Sequence, residues 1–151
     1  RVEVGLENQR VVVIGGSSGI GFAVARQCLG QGARVVIGSR DPQKVDAALA
    51  RLGASAEGFP VDARDEDSVR AFFDRVGAFD HLAYTAGDWD TIRAANPMAA
   101  LDLDVARSVF DVRFWGALLA VKHALPRWSE QGSVTLTNGM VAHRPAHRLY
   151  Q

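Results

Sequence analysis

The stretch Val11-Val12-Val13-Ile14-Gly15-Gly16-Ser17-Ser18-Gly19-Ile20-Gly21 decides the fold. Its first four residues are β-branched with no polar residue among them, the pattern of a short strand buried on both faces. Glycines close the run. Beyond them Ile20, Val24 and Cys28 recur at four-residue spacing with Ala25 and Leu29 beside them, which reads as a helical stripe. A strand passing through a glycine-rich turn into a helix presents backbone N–H groups at a helix N-terminus, where the dipole favours an anion and no side chain obstructs it. A tight turn without a ligand needs the same glycines, but the strand before and the stripe after are the context a phosphate cradle requires. Its candidate residues are Gly15, Ser17, Ser18, Gly19, Ile20 and Gly21.

Outward from this stretch the pattern alternates. Gly30 and Gly32 stop the first helix, and Arg34 to Ile37 restores a strand. Pro42, then Val45, Ala48, Leu49 and Leu52, predict a second helix with proline near its first turn. Ala54 to Val61 is a weaker strand, and Asp67 to Val76 a third helix whose acidic start suits a helix N-terminus. His81 to Tyr84 predicts a fourth strand, Asp104 to Leu125 a long helix ended by Pro126, and Ser133 to Thr137 a fifth strand; a short helix is expected around Met98 to Leu101. Strands separated by helices pair in parallel through right-handed crossovers. The expected fold class is therefore α/β, doubly wound and Rossmann-type, with five parallel strands in the order 3-2-1-4-5 and helices on both faces. Ligands of such sheets sit beyond the carboxyl ends of the strands where the order reverses, here after strands one and four.

At 151 residues, against about 150 for a typical domain, the chain reads as a single domain. Its 17 basic and 17 acidic residues argue against binding nucleic acid or a membrane surface through net positive charge. Val11 to Ala25 is the longest uncharged stretch; it is glycine-rich and shorter than the ~18–20 apolar residues of a membrane span. No secretion signal is recognisable, and a lone Cys28 makes no internal disulfide, so a cytoplasmic setting is expected. No Cys/His grouping has zinc-ligand spacing, and no metal site is expected: His143 and His147 lie four apart, but Pro145 between them argues against one helical face.

Gly15, Gly19 and Gly21 match the T-G-x-x-x-G-x-G loop of the short-chain dehydrogenase/reductase family, which the chain resembles; Ile14 stands at the threonine. Further matches come in family order. Ser39 and Arg40 end strand two, where NAD binders usually place a carboxylate and NADP binders an arginine. A guanidinium fork with a neighbouring hydroxyl suits the 2′-phosphate, so NADP is expected over NAD, although Asp41 alongside weakens that preference. Read without the family, Arg40 is a solvated residue before the turn Asp41-Pro42. Asp62 and Ala63 resemble the D-V-x stretch that approaches adenine; Asp62 equally reads as a helix cap. Tyr84-Thr85-Ala86-Gly87 stands where the family has N-N-A-G, the small Ala86-Gly87 pair letting the cofactor pass close to the backbone.

The resemblance implies hydride transfer between a nicotinamide and a carbonyl or alcohol, using a Tyr, a Lys four residues on, a Ser and an Asn. Arg113 stands at the Asn position and Asn138 or Gly139 at the Ser position, with Thr137 the nearest hydroxyl. Tyr150 falls roughly where the Tyr would come, and position 154, where the Lys would follow, lies beyond Gln151. Tyr150 is either the aligned catalytic residue or a coincidence in a terminal segment. The resemblance spans essentially the whole chain but the first three-fifths of a typical family member.

The expected function is an NADP-dependent oxidoreductase of this type acting on a small carbonyl or hydroxyl compound, or the cofactor-binding portion of one. The alternatives are a catalytically inactive nucleotide-binding or regulatory module, and a truncated chain that acts through self-association. The long helix carries Val105, Val109, Phe110, Val112, Phe114, Trp115, Leu118, Leu119 and Val121, a nearly all-apolar surface expected to be buried on more than one side. A homo-oligomer is therefore expected, since a helix lying under one sheet would leave Phe114 or Trp115 in need of cover.

Overall fold

The computed structural model describes residues 5–87 and 98–138. The Val11–Ile14 run lies in β1 (Arg10–Ile14), and its glycines lead into α1 (Gly19–Gly30). Then come β2 (Arg34–Ser39), α2 (Pro42–Leu52), β3 (Ala56–Pro60), α3 (Glu66–Val76) and β4 (Phe79–Tyr84). A 3-10 turn (Met98–Ala100) precedes α4 (Leu103–Phe110), a π turn (Asp111–Trp115) and α5 (Gly116–Ala124). A second 3-10 turn (Leu125–Arg127), with Pro126 in it, leads to β5 (Trp128–Leu136). The strands pair in parallel in the order β3-β2-β1-β4-β5, the doubly wound α/β sheet that the alternation implied.

Side chains alternate across a strand, and β1 divides accordingly. Val12 and Ile14 share a core with Phe72 and Phe73 of α3 and Ala117 and Ala120 of α5, whereas Val11 and Val13 share one with Phe22 and Ala25 of α1 and Val45 and Ala48 of α2. Strand β1 thus has helices on both faces, which is why no polar residue interrupts it. Asp41 caps α2, its carboxylate accepting from the Gln43 N–H at 2.9 Å, and Pro42 follows at the first helical position. Asp65 caps α3 by accepting from the Asp67 N–H, so the helix opens at Glu66 and Asp62 is not its cap.

Three elements depart from the sequence-based expectations. In α1 the buried residues are Gly21, Phe22 and Ala25, with Val24, Cys28 and Leu29 partly buried, while Ile20 is exposed. The first turn of α1 lies past the end of β1, where no sheet covers Ile20. Strand β5 begins at Trp128 rather than Ser133: Phe79 pairs with Trp128, His81 with Ser133, and the residues between bulge opposite Asp80. The polar run Ser129-Glu130-Gln131 has no strand alternation, and its start is held by the Trp128 Nε1–H donating to the Asp80 carbonyl at 3.0 Å. The long helix is interrupted by the π turn and is buried on one side only, through Ala117, Ala120 and Ala124. Its other apolar side, with Leu103, Phe110, Phe114, Trp115 and Leu118, faces outward because α3 and the sheet pack against it from one direction.

Phe72 is 1% exposed and meets Phe73 edge to face at 5.2 Å between ring centres. Truncation there leaves a cavity that helix and sheet cannot close, so Phe72→Ala is expected to cost about 3–5 kcal/mol, measured by urea denaturation.

Candidate functional site

The ends of β1, β2 and β4, with the loops that follow them, surround one cleft of about 790 Å³, a size suited to a small molecule or coenzyme. Gly15, Ser17, Ser18, Gly19, Ile20 and Gly21 line it. Ser39, Arg40, Asp62, Ala63, Ala86 and Gly87 join them from the neighbouring loops, and Arg113 and Asn138 from the far side. Gly139, His143, His147 and Tyr150 lie outside the described residues.

The glycine turn is held by the sheet. The N–H groups of Gly15 and Gly16 both donate to the Gly38 carbonyl, at 2.8 and 3.3 Å, which ties the loop to β2. Gly15 sits at φ +89°, in the left-handed region. At Gly21 a Cβ would lie 2.1 Å from the Gly15 carbonyl oxygen and 2.4 Å from Thr85 Oγ1, so only glycine lets α1 start this close to the strand end. The side chain of Ser18, at the N-cap, makes no capping hydrogen bond, and the first turn carries no acidic residue. The orphan amides of that turn therefore keep their partial positive charge beside the cleft.

The end of β2 adds cations. Ser17 and Ser39 are joined hydroxyl to hydroxyl at 2.8 Å, and Arg40 and Lys44 line the cleft beside them with exposed side chains. Asp41 spends its carboxylate on its own helix as the cap. The Asp62 carboxylate is gripped by Arg64: Nε to Oδ1 and Nη2 to Oδ2, each at 3.1 Å, with the Arg64 N–H on Oδ1 at 3.0 Å. Asp62 in turn donates its own N–H to Ser68 Oγ at 2.9 Å. The Arg64 side chain is the main cause that holds the Asp62 carboxyl below the ordinary carboxylate range; burial opposes it, and Arg40 adds a weaker pull in the same direction. Asp62 thus stays an acceptor through mildly acidic pH. Lys44, Arg64, Thr85, Ser108 and Thr137 also line the cleft. Sequence reasoning did not select Lys44, Arg64 or Ser108 as cleft residues, though Lys44 is four residues from Arg40 and Arg64 two from Asp62.

At the far end two side chains stand in for the asparagines of the N-N-A-G pattern. Thr85 donates its hydroxyl to the Ile14 carbonyl at 3.0 Å, binding β4 to β1, and Tyr84 donates its own to the Val112 carbonyl. Thr137 gives its hydroxyl to the Tyr84 carbonyl at 3.2 Å, so this nearest hydroxyl to the serine position is engaged with backbone. Arg113 lays its guanidinium against Gly87, where a Cβ would meet Nη2 at 2.6 Å. Among the described residues no cluster of three His, Cys, Asp or Glu has the arrangement of a metal site, and no helix is long and apolar enough to cross a membrane.

Residues 9–149 match the family model described as short chain dehydrogenase. A short-chain dehydrogenase/reductase of Acremonium sp is 37% identical, the match covering 93% of this chain and 60% of that protein. A crystal structure of a small-chain dehydrogenase in complex with NADPH is similar at 34% identity and a TM-score of 0.72, over 93% of this chain and 55% of that one. A short-chain dehydrogenase/reductase (glucose/ribitol dehydrogenase) of Brucella melitensis superposes with a TM-score of 0.83 at 27% identity, over 93% of this chain and 61% of that one. The chain spans 52–60% of the length of the first curated relatives it matches.

The crowding at residue 21 leads to a measurable contrast. Gly21→Ala is expected to lower stability by about 1–3 kcal/mol through overpacking. Gly30→Ala, at a helical position with nothing within 4 Å of the added Cβ, is expected to be neutral or stabilising by up to about 1 kcal/mol. Paired thermal unfolding curves check both.

Proposed function

The chain belongs to the short-chain dehydrogenase family, and from that premise we propose that it holds the coenzyme of an NADP-dependent oxidoreductase that moves hydride to or from a small carbonyl or alcohol. The observation that carries the reading is the arrangement of one cleft: the uncapped first turn of α1 borders it together with Ser39, Arg40 and Lys44, with the nearby Asp41 carboxylate turned to its own helix. When bound, the nicotinamide dinucleotide supplies the hydride donor or acceptor.

This chain's residues supply the hold. The amides of the first turn of α1, from Gly19 to Gly21, receive the pyrophosphate, whose negative charge the helix dipole favours. Arg40, with Lys44 and the Ser39 hydroxyl, receives the 2′-phosphate; an arginine grips phosphate bidentately and serine adds a donor without repelling it. Asp62, kept ionised by Arg64, accepts from the adenine amine beside Ala63. Ala86 and Gly87 let the chain of the coenzyme pass close to backbone. The proton step is assigned to Tyr150, which falls roughly where the family's tyrosine would come. A phenol is a poor base near neutral pH without a neighbouring cation. A cytoplasmic setting belongs to this reading, on the ground of the single cysteine.

Arg113 at the asparagine position and Asn138 at the serine position favour a second reading, a nucleotide-binding module without catalysis. Oxidation of NADPH against a panel of ketones separates the two, since turnover that Tyr150→Phe abolishes belongs only to the enzyme.

Loss of a charge-assisted hydrogen bond of about 1.5–3 kcal/mol corresponds to roughly a 10- to 100-fold weaker complex. Arg40→Gln is expected to weaken NADPH binding by that factor and to leave NADH binding nearly unchanged, as followed by tryptophan fluorescence. Equal losses for both coenzymes, or no NADPH binding by the unsubstituted chain, would contradict the proposal.

Self-association is the second part of the proposal. The outward side of α4, the π turn and α5 places Phe110, Phe114, Trp115 and Leu118 together, with the Phe114 and Trp115 rings 5.0 Å apart. These side chains are all at least half exposed, an apolar surface bordered by Arg107 and Asp111 that a second copy of the chain covers. Light scattering is expected to give a dimer or larger species, and Leu118→Glu to shift it to monomer; a monomer at high concentration before substitution would leave the surface without this role.

A further inference from the structure

In an uninterrupted α-helix the N–H of Gly116 would donate to the carbonyl of Val112, four residues back. Here it donates to the Asp111 carbonyl, five residues back, which makes the π turn and takes from Val112 its helical donor. The hydroxyl of Tyr84, at the end of β4, donates to that carbonyl instead. Tyr84 is 2% exposed, and burial raises the pKa of its phenol against the opposing pull of Arg113, so the hydroxyl stays protonated and able to donate. The phenol fits because residue 116 is glycine: a Cβ there would stand 2.5 Å from Tyr84 Oη and 3.0 Å from Ala63.

One residue more in a helical turn rotates the C-terminal part of a helix by about 100° relative to its N-terminal part. In this helix Val112 and Arg113 border the cleft, whereas Phe114 and Trp115 face outward. The Arg113 guanidinium rests on Gly87, its Nη2, Cζ and Nε at 2.6, 2.7 and 3.0 Å from where a Cβ would be. π turns inside α-helices often mark functional sites. We propose that Tyr84 is a positioning residue: its hydroxyl holds the π turn in register and so sets Arg113 across the Ala86-Gly87 backbone, at the end of the cleft away from Arg40. Tyr84 thereby shapes the nicotinamide half of the coenzyme site while leaving the adenosine half untouched. This assignment rests on the dinucleotide reading of the cleft.

The test dissects the coenzyme. The 151-residue chain and its Tyr84→Phe variant are titrated with NADPH, with 2′,5′-ADP for the adenosine half, and with reduced nicotinamide mononucleotide for the other half. Tyr84→Phe is expected to bind 2′,5′-ADP within about twofold of the unsubstituted chain and to bind NADPH and the mononucleotide about 5- to 10-fold more weakly, the equivalent of one neutral hydrogen bond. A residue that merely stabilised the fold would weaken both halves in the same proportion, and that result overturns the assignment. Arg113→Met, at the other end of the link, is expected to show the same one-sided loss, and the double variant no more than either alone. Should Tyr84→Phe fail to fold, the Arg113→Met result decides: an unchanged ratio between the halves overturns the assignment. Amide NMR without coenzyme gives an independent reading, with the Gly116 and Ala117 resonances expected to move in Tyr84→Phe and their constancy counting against it. If 2′,5′-ADP and NADPH both fail to bind the unsubstituted chain while these amides do move, the dinucleotide reading has failed and the link from Tyr84 to the helix stands.

Discussion

Gly21 packs against the Gly15 carbonyl and the Thr85 hydroxyl more closely than any side chain permits, and much of the molecule depends on that approach. It lets α1 begin directly over the end of β1. The amides of its first turn then border the cleft instead of a layer of side chains. The same contact engages β4, because Thr85 donates to the Ile14 carbonyl and so joins the ends of the two central strands. With Gly15 and Gly16 also tied to Gly38 of β2, the turn is fixed to three strands. A loop fixed this way meets an anion without a further ordering cost, which is the physical advantage of building such a site at strand ends.

Charge is distributed unevenly around the cleft. Arg40 and Lys44 gather at the end of β2, while the two nearby carboxylates are engaged, Asp41 with the start of α2 and Asp62 with Arg64. Both carboxylates already accept hydrogen bonds from the protein, Asp41 from the Gln43 N–H and Asp62 from Arg64.

The far end obeys a different logic. Tyr84 is too large for the place of an amide side chain, and its hydroxyl reaches the helix beyond, where a π turn frees a carbonyl and Gly116 leaves room. The departures at Tyr84 and Arg113 are therefore parts of one arrangement, as the phenol meets the turn that carries the guanidinium. The same turn directs Phe114 and Trp115 outward, so cleft shape and the apolar outer surface are coupled through one stretch of helix.

Much of this was legible in the residues. Val11 to Ile14 could only be a buried strand, the glycines after it only a turn into a helix, and the repeated alternation left a parallel sheet as the economical solution, because local period and turn chemistry act within a few residues of chain. That the residues of the glycine turn line one cleft was legible for the same reason: the helix N-terminus and its glycines are contiguous in sequence. Other features were decided only by tertiary contact. Trp128 joins β5 through the Asp80 carbonyl, from a segment whose polar residues show no alternation. Whether Asp62 caps a helix or faces the cleft depended on Asp65 taking the cap and Arg64 folding back. The π turn has no local signature, since Asp111 to Trp115 are ordinary helical residues; it exists where a phenol from another strand takes over a carbonyl. Local patterns specify elements because their causes lie a turn or two away along the chain, whereas the identity of a hydrogen-bond partner distant in sequence is known only once the sheet has brought the two together.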